Sequence, residues 1–164
     1  MPALRPGLIM LTLLITACGF QLQQPTEFPP EMAQMQLKVV DPYGVFGRKL
    51  QNLLEQGGVA LVEEDSALSV LSVPVNQVRK EILTIGDNAR VREYRLRHTV
   101  AFVLTDPEGQ PLVPEQRLEQ VRVISFDEAD ILGAAQEDEQ MRREMAETLA
   151  RLLIRRLGTT RATP

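Results

Sequence analysis

The chain has 164 residues and a net charge of −4, with one histidine, one cysteine and no tryptophan. An acidic balance argues against a nucleic-acid binder, and 4 % aromatic content argues against a base- or sugar-stacking platform. A single thiol excludes a disulfide framework or a CxxC site, and one histidine with no second thiol excludes most zinc sites.

The first element is a leader. Arg5 supplies a positive front, Leu8 through Ile15 is almost unbroken aliphatic, and Thr16 and Ala17 are small, which is the order of a secretory signal. The apolar run is about half of the ~20 residues that a helix needs to cross ~30 Å of hydrocarbon, so a single-span anchor is not expected. Ile15-Thr16-Ala17-Cys18 resembles a bacterial lipobox, whose cysteine is acylated and becomes the new N-terminus. More than one acyl chain on Cys18 would hold the protein stably on a membrane. Gly19 and Phe20 follow with no Asp at the second position, which resembles proteobacterial lipoproteins sorted to the outer membrane. Removing the leader at 1–17 leaves one domain-sized chain. Residues 18–34, with three prolines and no apolar period, read as a lipidated N-terminus and extended tether.

Met35 to Val40 reads as a short strand bounded by Asp41-Pro42, with Asp41 placed to cap the helix that follows. Val45, Phe46, Leu50, Leu53 and Leu54 form a helical stripe, and Gly57-Gly58 stops it. From Ala67 to Asp127 the residues alternate between turn signals. The stretch ALSVLSVPVNQVRKEIL is a strand whose Pro74 marks an edge or a bulge, and its register is open because apolar residues fall on both parities. A long strand over 89–105 puts Tyr94, Leu96, His98, Val100, Phe102 and Leu104 on one face, with Glu93, Arg95, Arg97 and Thr99 on the other. DPEGQP is a loop, and a third strand runs from about Arg117 to Phe126. Short connections make these three strands antiparallel.

After Asp130, a cap, the apolar positions Ile131, Ala134, Ala135, Met141, Met145, Leu149, Leu152 and Leu153 recur at three- and four-residue steps, and Gly158 ends the helix. Acid at its start and base at its end suit the helix dipole. Residues 159–164 read as a disordered tail. The expected fold is α+β, two helices packed on one side of a four-stranded mixed β-sheet in the order β-α-β-β-β-α, within one domain over 35–158.

No nucleophile elbow, P-loop, H-E-x-x-H or dinucleotide fingerprint occurs, and no cofactor or metal is expected. His98, the one base available to a serine hydrolase, falls on the core face and reads as a packed histidine. Asp127, Glu128 and Asp130 read as capping groups. One constellation points to a ligand. Arg79, Lys80, Arg90, Arg92, Arg95 and Arg97 crowd residues 79–97 of an acidic chain, with segments 79–80 and 90–92 expected beside each other at a hairpin turn. Arginine forks match phosphate oxygens, so an envelope ligand carrying phosphates and acyl chains suits that end, while solvated edge charges that deter aggregation remain the alternative.

ITACGFQL, REYRLRHTVAFVLTDPEGQPL and RVISFDEADILGAAQEDEQMRREMAETLARLLIRRL together resemble the LptE family of LPS-assembly lipoproteins, also called rare lipoprotein B. Phe126 stands where the family often has Tyr. The resemblance implies a non-enzymatic outer-membrane lipoprotein that plugs and helps assemble the LptD β-barrel, and that binds lipopolysaccharide and helps place it in the outer leaflet. Two other readings stay open at this point: a scaffold whose arginines meet acidic barrel residues, and a periplasmic accessory lipoprotein of an ABC-type lipid transporter.

Overall fold

The computed structural model describes residues 28–85, 91–125 and 131–159. Strand β1 spans Gln34–Val39, helix α1 Val45–Gln56, β2 Ala60–Leu61, β3 Ser69–Ile85, β4 Val91–Thr105, β5 Pro111–Ser125 and helix α2 Ile131–Thr159. The sheet order is β2-β1-β3-β4-β5, parallel where β1 meets β2 and β3 and antiparallel across β3, β4 and β5. The expected two helices and mixed sheet are present, with one strand more than expected. β2 pairs through only Gln34↔Ala60 and Met35↔Leu61, too short a run to carry a period of two.

The helix boundaries follow from local chemistry. Asp41 does not cap α1 directly: its Oδ1 accepts from the Gly44 N–H at 2.9 Å, closing a turn ahead of a helix that begins at Val45. At the other end Val59 N–H donates to Leu54 and Gly58 N–H to Glu55, both at 3.0 Å, with Gly58 at φ 84°. That pair of bonds is a Schellman stop, and only glycine takes its left-handed turn without strain. In α2 the buried stripe is Met145, Ala146, Leu149, Ala150, Leu153, Ile154 and Leu157, whereas Ala135 is exposed. Gly158 stays within this helix, which runs on to Thr159. Asp130 and the acidic group Asp127 and Glu128 lie outside the described residues.

The main core gathers Phe46, Leu50 and Leu54 of α1 and the lower half of α2 against Met35, Leu71, Val73, Val100, Phe102, Leu104 and Val113 of the sheet. A second, smaller cluster of Tyr94, Leu96, Ile124 and Met145 lies farther along the hairpin, with Val78 and Met141 against it. His98 stands between the two on β4.

Two bulges explain why parity misleads. The register of β3 on β4 shifts between Ser72 and Val75, so Leu71 and Val73 face the helices before it and Asn76, Val78 and Lys80 after it. β5 shifts likewise, placing Val113 and then Leu118 and Ile124 in the core. Each shift contains a proline, Pro74 or Pro114. Pro74 lies just past Val39↔Val73, where β1 pairing ends, so its missing N–H leaves no partner unsatisfied there.

Gly47 is buried where α1 crosses the Asp41-Pro42 turn. A β-carbon there would strike the carbonyl oxygens of Asp41 and Pro42, the latter at 2.7 Å. Gly47→Ala is therefore expected to lower stability by about 1–3 kcal/mol despite alanine's better helix propensity. A urea midpoint equal to or above wild type would refute the close approach.

Candidate functional site

Above the bulges β1 and β2 stop, and only β3, β4 and β5 continue, with the N-terminal half of α2 beside them. The sequence of this distal extension breaks the alternation that would bury a side. Ile82 and Leu83 are consecutive apolar residues at a second register shift, between Ile82 and Thr84, and Ile85 follows a third. Among the eight large apolar side chains exposed on the described residues, five lie here: Ile82 and Ile85 at 61 %, Val123 at 53 %, and Leu83 and Val121. Val121 and Val123 pair with Arg97 and Arg95 on the helix-free face, whereas Ile82 pairs with Tyr94 on the helix side, so the extension exposes apolar groups on both faces, as contact surfaces do. The sequence signal for it is the pair of consecutive apolar residues at 82 and 83, which strand alternation alone does not reveal.

The cations do not form the single cluster expected at the turn. Residues 79 and 80 pair with 97 and 96, not with 90–92, because β3 runs unbroken to Ile85 and pairs there with Val91. Two opposite register shifts cancel between Ile85↔Val91 and Ile82↔Tyr94, and from there back the arms pair residue for residue. Arg79, Arg95 and Arg97 share the helix-free face, while Lys80 points to the helix side. Arg90 lies outside the described residues, and of Arg92 only the backbone, in β4, is described.

On the helix-free face Glu81 meets Arg95 at 3.6 Å and Arg97 at 3.5 Å, and Arg97 reaches Glu119 at 2.6 Å. Arg79 sits opposite the like charge of Arg97 and makes no ion pair among the described residues. On the helix side Lys80 Nζ lies 3.5 Å over the Tyr94 ring and 3.6 Å from Asp138, whose other oxygen takes a 2.7 Å bond from Arg142. Burial, and then the charge of Asp138, push the Tyr94 phenol up to about 12. Burial would also raise the Asp138 carboxyl, but the Arg142 hydrogen bond and charge, with Lys80, more than offset it and hold it below its ordinary range. Among the described side chains of that set, Lys80, Arg95 and Arg97 are thus paired with acids and Arg79 is not.

His98 is 3 % exposed. Its Nε2 hydrogen-bonds Asn76 Oδ1 at 2.7 Å, and its ring meets Phe46 edge-on at 6.5 Å. The partner is an amide and not a carboxylate, so the histidine–acid pairing of a hydrolase is not formed. Burial, followed by the nearby Arg142 charge, lowers its pKa to about 4. Among the described residues no three His, Cys, Asp or Glu side chains converge to hold a metal ion. No described helix is long and apolar enough to cross a membrane. Cys18 lies outside the described residues.

With this geometry in view, the similarities to known proteins are informative. A family-wide sequence profile described as LptE, lipopolysaccharide-assembly, matches residues 32–157. The chain is 29 % identical over 154 residues to the LPS-assembly lipoprotein LptE of Photorhabdus laumondii, covering 93 % of this chain and 84 % of that one. It is 30 % identical over 159 residues to the Yersinia pestis protein of the same name, covering 94 % and 75 %. Its fold is similar to the solution structure of lipoprotein B from Nitrosomonas europaea, with a TM-score of 0.72, 22 % identity, and coverage of 85 % and 90 %. It is also similar to a minor lipoprotein from Acinetobacter baumannii, with a TM-score of 0.67, 24 % identity, and coverage of 81 % and 98 %.

Proposed function

The chain belongs to the LptE family of lipopolysaccharide-assembly lipoproteins, and from that premise we propose that it works at the outer membrane as a non-catalytic partner of the LptD β-barrel. In this reading Cys18 carries the acyl chains that fix it to the periplasmic side, and the folded domain plugs the barrel and helps assemble it. The tether expected over 18–34 ends before Phe28, because Phe28 and Met32 pack on the core and Gln34 opens β1. The distal extension takes part in lipopolysaccharide binding and insertion into the outer leaflet.

The observation that supports this best is exposed Val121 and Val123 on the same helix-free face as Arg79, a cation with no ion pair among the described residues, with exposed Ile82, Leu83 and Ile85 on the same extension. Lipopolysaccharide offers both matching groups, acyl chains and phosphates. A guanidinium fork binds phosphate in two directions while neighbouring aliphatic side chains cover hydrocarbon. Lys80, Arg90, Arg92, Arg95 and Arg97 make up the remainder of the proposed cationic set, with Arg95 and Arg97 already sharing Glu81 and Glu119. No bond is made or broken: the protein holds its ligand and releases it.

The test separates ligand from barrel. Arg79→Glu combined with Arg92→Glu is expected to weaken lipopolysaccharide binding about ten-fold at low salt, the difference shrinking as salt screens it. Arg155→Glu, an exposed charge near the other end of α2, should change it little. Unchanged lipopolysaccharide affinity together with lost barrel co-purification would replace the binding role by a scaffold role. Failure of the wild-type acylated chain to co-purify with a large β-barrel would overturn the assembly role.

A further inference from the structure

His98 sits at the buried end of a cleft of about 280 Å³ between the two helices and the sheet. Phe46, Val78 and Ala146 give it apolar walls, and the ion pair Glu139–Arg143, at 2.6 Å, stands at its exposed mouth. The size suits one ring or a short aliphatic segment rather than a whole lipid.

The hydrogen bonding at the buried end leaves one polar atom without a partner. Asn76 Oδ1 can only accept, so the 2.7 Å contact places the histidine proton on Nε2. Burial and Arg142 keep the ring neutral at physiological pH. Nδ1 then carries a bare lone pair, and it is buried without a hydrogen-bond partner. A buried acceptor of this kind costs free energy until a donor meets it. Arg142, whose Nε bonds Asp138 at 2.7 Å, makes no hydrogen bond to Nδ1. The lining charges balance, Asp41 and Glu139 against Arg142 and Arg143, so the cleft favours neither a cation nor an anion.

From this combination we infer that the cleft is a binding site for a neutral hydroxyl-bearing small molecule with an apolar body, whose O–H donates to His98 Nδ1 while the body packs against Phe46, Val78 and Ala146. The site lies on the helix side and is separate from the proposed use of Arg79 on the opposite face, so either can fail without the other.

The probes are p-cresol and 4-methylanisole, which share an apolar body but differ in the ability to donate a hydrogen bond. Each is titrated into the isotope-labelled full chain while Val78, Ala146 and the His98 ring nitrogens are followed by NMR. The expected result is a saturable response at these three residues, with p-cresol binding about five- to ten-fold more tightly and moving the Nδ1 signal. His98→Phe should abolish the preference. If that variant does not fold, the two probes on the wild-type chain still decide. Equal affinities, shifts spread instead over exposed Ile82 and Ile85, or no saturable response would each overturn the site and leave a cleft that holds water only.

Discussion

Replacing Phe102 by alanine is expected to remove about 3–5 kcal/mol of stability, a large part of the ~5–15 kcal/mol that holds a domain of this size folded. Phe102 is fully buried on β4, within the core that both helices share with the sheet. Deleting its ring forfeits the transfer free energy of burial and leaves a cavity that two helices and three strands cannot close together. Met141 provides the contrast. It packs only partly against the smaller distal cluster, so Met141→Ala should cost about 1 kcal/mol and act mainly on the extension. Urea unfolding reads the first difference. Amide exchange reads the second, as faster opening of 91–97 with 99–104 unchanged. Equal costs for the two substitutions would mean that the clusters form one cooperative core and that the His98 row does not divide them.

That division was only partly legible in the sequence. The even positions of β4, from Tyr94 to Leu104, pointed to the core as their alternation required, because β4 keeps one parity along that face. Its neighbours do not. In β3 the apolar residues Leu71, Val73 and Val78 looked like an undecided register, and they are one face read across a bulge at Pro74. The proline gave the place but not the consequence, since a bulge changes side-chain direction only through its pairing with another strand. β2 was illegible for a different reason: two residues carry no period, and their pairing is set by where the Gly57-Gly58 stop delivers the chain. The covering stripe of α2 was shifted because its first half extends beyond the five-stranded part of the sheet.

The candidate site divides in the same way. Composition located the cations on the right hairpin, because charge density is a property of the sequence. Their separation onto two faces is a property of register: one more pair of residues in the arms, or one fewer, would exchange the places of Lys80 and Arg79. The acids that hold Lys80, Arg95 and Arg97 come from Asp138, Glu81 and Glu119, and Asp138 and Glu119 are distant in the chain. No local motif links such groups, so the distinction between held and unpaired cations needed the fold.

Acid should reveal the cost of burying His98. In the unfolded chain an imidazole takes up its proton near pH 6.5, whereas in the folded protein burial, with Arg142 behind it, delays protonation to about pH 4. Between those values the unfolded state binds the additional proton, so acidification favours unfolding. The stability tied to this group is fully present above pH 6.5 and falls as pH drops through 6 and 5 towards 4, by about 3 kcal/mol in all. The charged groups around the cleft do not relieve it: Asp41 ahead of α1 and Glu139, Arg142 and Arg143 of α2 line it, and of these only Arg142 shifts the ring, downward. Asp138, held below its ordinary range by Arg142 and Lys80, adds a loss of its own only at still lower pH, as it is protonated. His98→Phe keeps the edge contact with Phe46 and removes the titration. Its stability at pH 7 should fall through the lost Asn76 bond, while its slope between pH 6.5 and 4 should be shallower than wild type by the histidine's share. Urea unfolding at half-unit pH steps measures both. Parallel slopes for the two proteins would mean that His98 reaches a proton in the folded state at its ordinary pKa, and that the cleft beside it is open to water along its length.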